Sequence, residues 1–242
     1  MTKYTQRHYR RRARARGLRS FQVAVKETDL WVSAERDLKE ETRDLIIRYR
    51  HQLERYIESH PLFLTNLQPL PEDPFAPRMV AEMIRVTKGI GVGPMAAVAG
   101  ALAQYVGKGL LQFSDQVIVE NGGDIFLQAE RAVTIAVFAG DSSLSEQIGL
   151  KVPLRQMPLG VCSSSGKVGH SLSEGGADVV SILSTSSLLA DAAATLLGNR
   201  IKGASDLRVF GEWVQEIDGL LGGLAIVGDK MAVWGDIELV GL

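Results

Sequence analysis

The chain has 242 residues, 45% hydrophobic and 23% charged, enough to bury a substantial core in one large domain or two small ones. Its formal charge of −1 is that of an ordinary soluble protein, and the one cysteine, Cys162, excludes an internal disulfide, so a reducing, cytoplasmic home is expected. The 25 glycines follow no period and form no low-complexity tract, which excludes a repeat or linker protein.

Charge is concentrated at the start. Residues 1–19 hold Lys3 and seven arginines from Arg7 to Arg19 with no acidic side chain, so the remainder is net acidic. Such an arm can grip phosphates of a nucleic acid, dock on an acidic protein surface or stay solvated. Without interleaved aromatics for base stacking, nucleic acid is the less favoured partner. No apolar stretch follows the basic residues, so a secretory signal is not expected. The expected organisation is a basic arm over 1–19 and a single domain over 20–242.

In chain order, Phe21, Val23 and Val25, then Leu30 and Val32, alternate with polar residues and predict a hairpin. Residues 36–59 place Leu38, Leu45, Ile46, Tyr49, Leu53, Tyr56 and Ile57 at helical spacing, an amphipathic helix that His60-Pro61 stops. Five prolines between 61 and 77 mark an irregular connector. A short helix follows over 78–88, with Gly89 as its cap, and a small-residue helix over 95–106 with Pro94 at its first turn. Strands are expected at 116–120, 125–127 and 132–138, a helix at 183–197, and a closing three-strand meander at 224–227, 231–234 and 237–240. Strands at both ends and in the middle, with helices between, predict an α+β fold with mixed or antiparallel sheets. Residues 89–111 and 183–201 approach membrane length, but Gly, Pro, Ser or charged residues interrupt each, so buried helices are expected and no membrane partner.

Four segments could carry chemistry. Gly91-Val92-Gly93-Pro94-Met95 leads into a helix whose first N–H groups suit a phosphate; tight packing of a Gly/Ala helix is the alternative. Glu120-Asn121-Gly122-Gly123-Asp124 is a hairpin turn on local grounds, and equally a place where a ligand can approach the backbone with Asp124 pointing at it. Ser164-Ser165-Gly166 followed by His170 reads as a hydroxyl-rich loop able to wrap phosphates, with an imidazole suited to proton transfer, or as a plain surface loop. Asp191 and Thr195, four apart in an alanine-rich helix, share one face and could hold Mg²⁺ together with substrate phosphates; otherwise Thr195 bonds back into its helix and Asp191 faces water.

Taken in order, these segments, with Lys26-Glu27-Thr28-Asp29-Leu30 and Gly91-Val92-Gly93-Pro94-Met95-Ala96-Ala97-Val98-Ala99-Gly100, resemble the UPF0280 family nearly end to end. That family is a distant relative of the ApbE-type FAD:protein FMN transferases. The Gly122-Gly123-Asp124 turn, Ser164-Ser165-Gly166 with His170, and Ala190-Asp191…Thr195 resemble the transferase motifs. The resemblance implies an ApbE-like, T-fold-like architecture, FAD or another phosphate-bearing small molecule as ligand, and Mg²⁺ on Asp191 and Thr195. It gives His170 the role of assisting an incoming hydroxyl, and the turn at Asn121, Gly122, Gly123 and Asp124 that of shaping the nucleotide pocket. The sequence departs from the transferases where their Asp-Pro-x-Thr-Gly run reads Ser171-Leu172-Ser173-Glu174-Gly175-Gly176, and where Gly93-Pro94 replaces their Lys-Gly. The departures leave a non-flavin phosphorylated ligand, or a non-catalytic partner using the arm, as alternatives. A homodimer is the base-rate expectation.

Overall fold

The structure, a computed structural model, describes residues 17–165 and 175–242; Gly166, His170 and nearly all of the basic arm lie outside them. Strands β1 (Arg19–Val25) and β2 (Thr28–Ala34) pair antiparallel, with Phe21 and Val23 turned to the core as their alternation predicts. Helix α1 (Lys39–Ser59) buries Leu45, Ile46 and Leu53 and ends at His60. The proline-rich connector contains one turn of helix, α2 (Leu62–Thr65), which anchors Phe63 in the core. Helix α3 (Arg78–Ile90) runs past the expected cap: Gly91, with φ of 89°, ends it and donates its N–H to Thr87. The cap is there because Gly91, not Gly89, adopts the left-handed conformation.

A 3-10 turn over Pro94–Ala97 leads into α4 (Val98–Leu110). Strands β3 (Val117–Asn121) and β4 (Asp124–Gln128) form a hairpin closed by Gly122-Gly123, where φ of 82° at Gly122 favours glycine. Strand β5 (Val133–Ala136) is followed by three strands with no counterpart in the sequence reading: β6 (Ile148–Val152), β7 (Leu159–Ser164) and β8 (Val179–Ser184). Helix α5 (Ser187–Arg200) starts later than expected, because Leu183 belongs to β8, and it continues through Gly198 and Asn199. Its N-cap is Ser186, whose hydroxyl accepts the Leu189 N–H. A short helix α6 (Phe210–Gln215) precedes β9 (Leu220–Val227), β10 (Lys230–Gly235) and β11 (Glu238–Gly241).

Among the described residues, eight strands form one antiparallel sheet in the order β1-β2-β3-β4-β7-β8-β9-β10. The closing meander is a correction: β11 leaves β10 and pairs with β6, giving a second sheet of order β11-β6-β5. Leu150 and Val152 of that sheet pack with Leu127, Val161, Val179, Leu183, Leu224 and Ile226, covering one face of the large sheet. The helices cover the other: α1 and α4 over β1–β4, α5 over β7 and β8. An α+β fold of antiparallel sheets with packed helices is therefore what forms. Among the described residues no single helix is long and apolar enough to cross a membrane, and α3 and α4 meet at a bend of 106°.

Candidate functional site

The start of α4 is where the separate motifs meet. The Gly100 N–H donates to the Asp191 carboxylate at 2.8 Å, and the Ala99 N–H also favours the charged form of that carboxylate. The Asn121 side-chain amide donates to the Ala99 carbonyl at 3.2 Å. Ala99 C=O and Gly100 N–H belong to one peptide unit, so the β3–β4 turn and helix α5 grip the same unit from its two sides. Gly100 permits the approach: a Cβ there would strike the Ser187 carbonyl and come within 2.9 Å of the Asp191 Cβ. The anion that meets the first N–H groups of α4 is thus the protein's own carboxylate, a cap supplied across the fold.

Asp124 lies beside this grip. It is the direct strand partner of Cys162, so both side chains share the sheet face under α5. Asp124 is 9% exposed, and its Oδ1 is buried with no hydrogen-bond partner. Burial, then the neighbouring Asp191 charge, push the Asp124 carboxyl well above the usual carboxylate range, against the Cys162 thiol and the Ser163 amide, which favour its ionised form. Burial likewise raises Asp191, to about 7, with the Gly100 and Ala99 amides opposing. The Cys162 thiol, at 3.3 Å from the Ser187 carbonyl, is driven up by burial and by the two nearby carboxylates.

Helix α5 runs along β7, from Ser187 over Gly160 to Gly198 beside Ser164, 3.5 Å from a Cβ placed on Gly198 to the serine Oγ. Thr195 sits one turn beyond Asp191 and is half-buried. Among the described residues its hydroxyl makes no hydrogen bond, unlike Thr87, which bonds back to Met83 in α3. Ser163 and Ser181 pair hydroxyl to hydroxyl at 2.8 Å next to Gly123. Glu120 accepts the Gly122 N–H at 2.8 Å and braces the turn.

Of the residues singled out in the sequence, Asn121, Gly122, Gly123, Asp124 and Asp191 come together, Thr195 lies one turn further along α5, and Ser164 and Ser165 lie at the end of β7 that leads to residue 166. Gly91, Gly93 and Met95 sit further back. Gly91 caps α3, Gly93 packs on the Asn66 backbone, and Met95 packs with the cluster between α3 and α4. Gly166 and His170 are outside the described residues. Sequence reading undervalued Ala99, Gly100 and Cys162. The signal for Gly100 was its place in a run of small residues, and the signal for Cys162 was its place in a strand facing Asp124, legible once β7 is recognised.

An eight-stranded antiparallel sheet with α5 along one face and the glycine turn at its end defines a fold also seen in solved flavin transferases. ApbE of Pseudomonas stutzeri, in its apo form, superposes with a TM-score of 0.57 at 14% identity, covering 89% of this chain and 93% of that one. The flavin transferase ApbE of Vibrio cholerae gives 0.51 at 12% identity, covering 93% and 96%. At these identities the likeness is one of fold. Family membership rests on closer matches: the chain belongs to the UPF0280 family. A family model described as "AbpE bacteria" matches residues 10–218. The UPF0280 protein of Methanocella arvoryzae is 38% identical over 217 residues, 89% of this chain and 88% of that protein. That of Methanocaldococcus jannaschii is 36% identical over 225 residues, 90% and 91% of the two chains.

Proposed function

We propose that the protein binds a phosphate-bearing ligand, a flavin nucleotide such as FAD, with Mg²⁺, and acts at the pyrophosphate. The observation that carries this reading is the meeting of the Gly122-Gly123-Asp124 turn and the Asp191 helix on the Ala99–Gly100 peptide unit. Two motifs that resemble the transferase motifs, far apart in sequence, build one polar corner in a fold shared with flavin transferases.

The donors suit the cation. Asp191 and Thr195 offer a carboxylate and an unengaged hydroxyl on one helix face, both half-buried and both oxygen, the donor type Mg²⁺ takes while keeping water and phosphate ligands. Bound there, Mg²⁺ would neutralise charge on the pyrophosphate oxygens. In this reading the backbone at Gly122 and Gly123 admits the nucleotide, and the hydroxyls of Ser164 and Ser165 donate to its phosphates with Gly166. His170 accepts the proton of the incoming hydroxyl.

The test is a thermal-shift titration of purified protein with FAD, in Mg²⁺ and in EDTA, on wild type and Asp191→Ala. A ligand that binds only the native state raises Tm, by about 2.7 kcal/mol of stability at a hundred times its Kd. A Mg²⁺-dependent gain lost in Asp191→Ala supports the reading, and AMP release is then measured. The absence of any FAD shift at every Mg²⁺ level sinks the flavin; a shift with another phosphorylated compound keeps the phosphate site.

A further inference from the structure

We infer that the outer edge of β10, with the groove beside it, is a docking site for an extended acidic peptide, which would add a further strand to the large sheet. The inference is independent of the flavin reading and lies on different residues.

Sheet order makes β10 a terminal strand, and among the described residues no strand pairs with its outer side. It follows β9 through the two-residue turn Gly228-Asp229, with φ of 65° at Gly228, and Lys230 is paired with Val227 across that turn. A turn of this length makes the flanking residues a hydrogen-bonded pair, and the ladder alternates from there. Lys230, Ala232 and Trp234 therefore turn their N–H and C=O groups to β9, while Met231 and Val233 turn theirs outward. The Met231 and Val233 side chains are 45% and 43% exposed. Native sheet edges are guarded by proline, a bulge or charge. Along its six residues, Lys230–Gly235, β10 has no proline, no shift of register and no charge after Lys230.

A groove of about 800 Å³ lies between the start of β10 and the 3-10 helix Ala204–Arg208. Its lining is of two kinds: Ala204, Leu207 and Met231 are apolar, and Ser205, Arg208 and Lys230 are polar. Among the described residues neither Arg208 nor Lys230 makes a hydrogen bond or ion pair. The neighbouring Asp206 is already committed to the Lys202 and Gly203 N–H groups, at 2.8 and 3.3 Å. Two uncompensated cations beside one strand edge, on a body whose net charge is negative, favour an acidic occupant. A second copy's β10 offers no carboxylate along its length. In a peptide, main-chain bonds to Met231 and Val233 would give affinity, apolar side chains would cover those two residues, and a carboxylate would meet Arg208 and Lys230.

The experiment sorts a displayed library of random dodecapeptides on the full chain and measures the Kd of the enriched peptides by fluorescence polarisation. Expected are peptides with alternating apolar residues and at least one Asp or Glu, bound more weakly as salt is added. Their affinity should fall about tenfold or more in Val233→Pro and in the double variant Arg208→Glu with Lys230→Glu. Val233→Pro removes one outward N–H, at the kind of position where an edge strand tolerates proline. Should that variant fail to fold, wild type is measured with the peptide N-methylated at either of its two sets of alternate residues. One set should abolish binding and the other spare it. No enriched peptide, affinity within twofold of wild type in Val233→Pro, or affinity indifferent to the charge reversal overturns the proposal. Sedimentation of wild type as a dimer that Val233→Pro converts to a monomer also overturns it, by giving the edge to a second copy.

Discussion

Asn121 and Asp191, seventy residues apart, hold the two sides of one peptide unit: the asparagine donates to the Ala99 carbonyl and the aspartate accepts from the Gly100 N–H. The two bonds differ in kind. The Asp191 bond involves an ionisable acceptor and is the stronger class, whereas the Asn121 bond is neutral at 3.2 Å. Asn121→Ala should therefore cost about 0.5–1.5 kcal/mol, read as a lower denaturation midpoint at unchanged m-value. Asp191→Asn keeps an oxygen acceptor for Gly100 and should fold, losing cation response but little stability in EDTA. A loss of native circular dichroism in Asp191→Asn would show that the charge itself is what holds α4.

Gly100→Ala is expected to be more damaging than either. Its Cβ would collide with the Ser187 carbonyl and press on Asp191, both backbone or near-backbone obstacles that cannot rotate away. Overpacking of this kind costs roughly 1–3 kcal/mol, a fall of several degrees in Tm for a chain of this size. Because the strain lies between α4 and α5, the same variant should weaken any Mg²⁺-dependent ligand response. A Gly100→Ala protein with wild-type Tm and wild-type response would mean that the two helices can separate freely.

These two positions also show what the sequence could disclose. The hairpin of β1 and β2 and helix α1 were legible because each has one wet face, and alternation or helical spacing prints that face on the sequence. Strands β7 and β8 are buried on both faces, between α5 and the smaller sheet, so neither shows alternation. The residues leading into Ser164-Ser165-Gly166 are therefore indistinguishable by sequence from the hydroxyl-rich loop that follows, and the facing of Cys162 on Asp124 is hidden with them. Asp124 and Asp191 were both picked out by motif, but their adjacency is a property of topology. Nothing local to either segment says that the turn after β3 comes to rest on the first turn of α4.

An acid-side stability effect is expected away from the site. Glu35 receives the Asp115 N–H at 2.9 Å and the Ser114 hydroxyl at 3.1 Å, tying the end of β2 to the start of β3. Those bonds, the Asp115 amide first, hold its carboxyl below the ordinary glutamate range. A depressed folded-state value means the contribution is complete above the unfolded value near 4 and is lost as pH falls through the lower folded value. Thermal melts of wild type and Glu35→Gln should differ most near neutral pH and converge in acid. A difference in Tm that is constant from pH 7 to pH 3 would assign the effect to packing.

Cys162 should be chemically silent in the native protein. Its thiol is wholly buried, bonded to the Ser187 carbonyl, and raised by burial and by the two carboxylates, so the reactive thiolate is scarce and out of reach. A disulfide reagent at pH 8 should label it slowly without denaturant and stoichiometrically in guanidinium. Since the labelling step requires opening of β7 from α5, its rate reports how often that interface separates. A cation bound to α5 at Asp191, as in the proposed function, would stabilise the native state and suppress that opening. Mg²⁺ should therefore slow the labelling of wild type and leave Asp191→Asn unaffected, a readout of cation binding that needs no flavin and no turnover. Rapid stoichiometric labelling of the native protein would contradict the buried, neutral thiol, and equal rates with Mg²⁺ and with EDTA would separate the cation from the α5 interface.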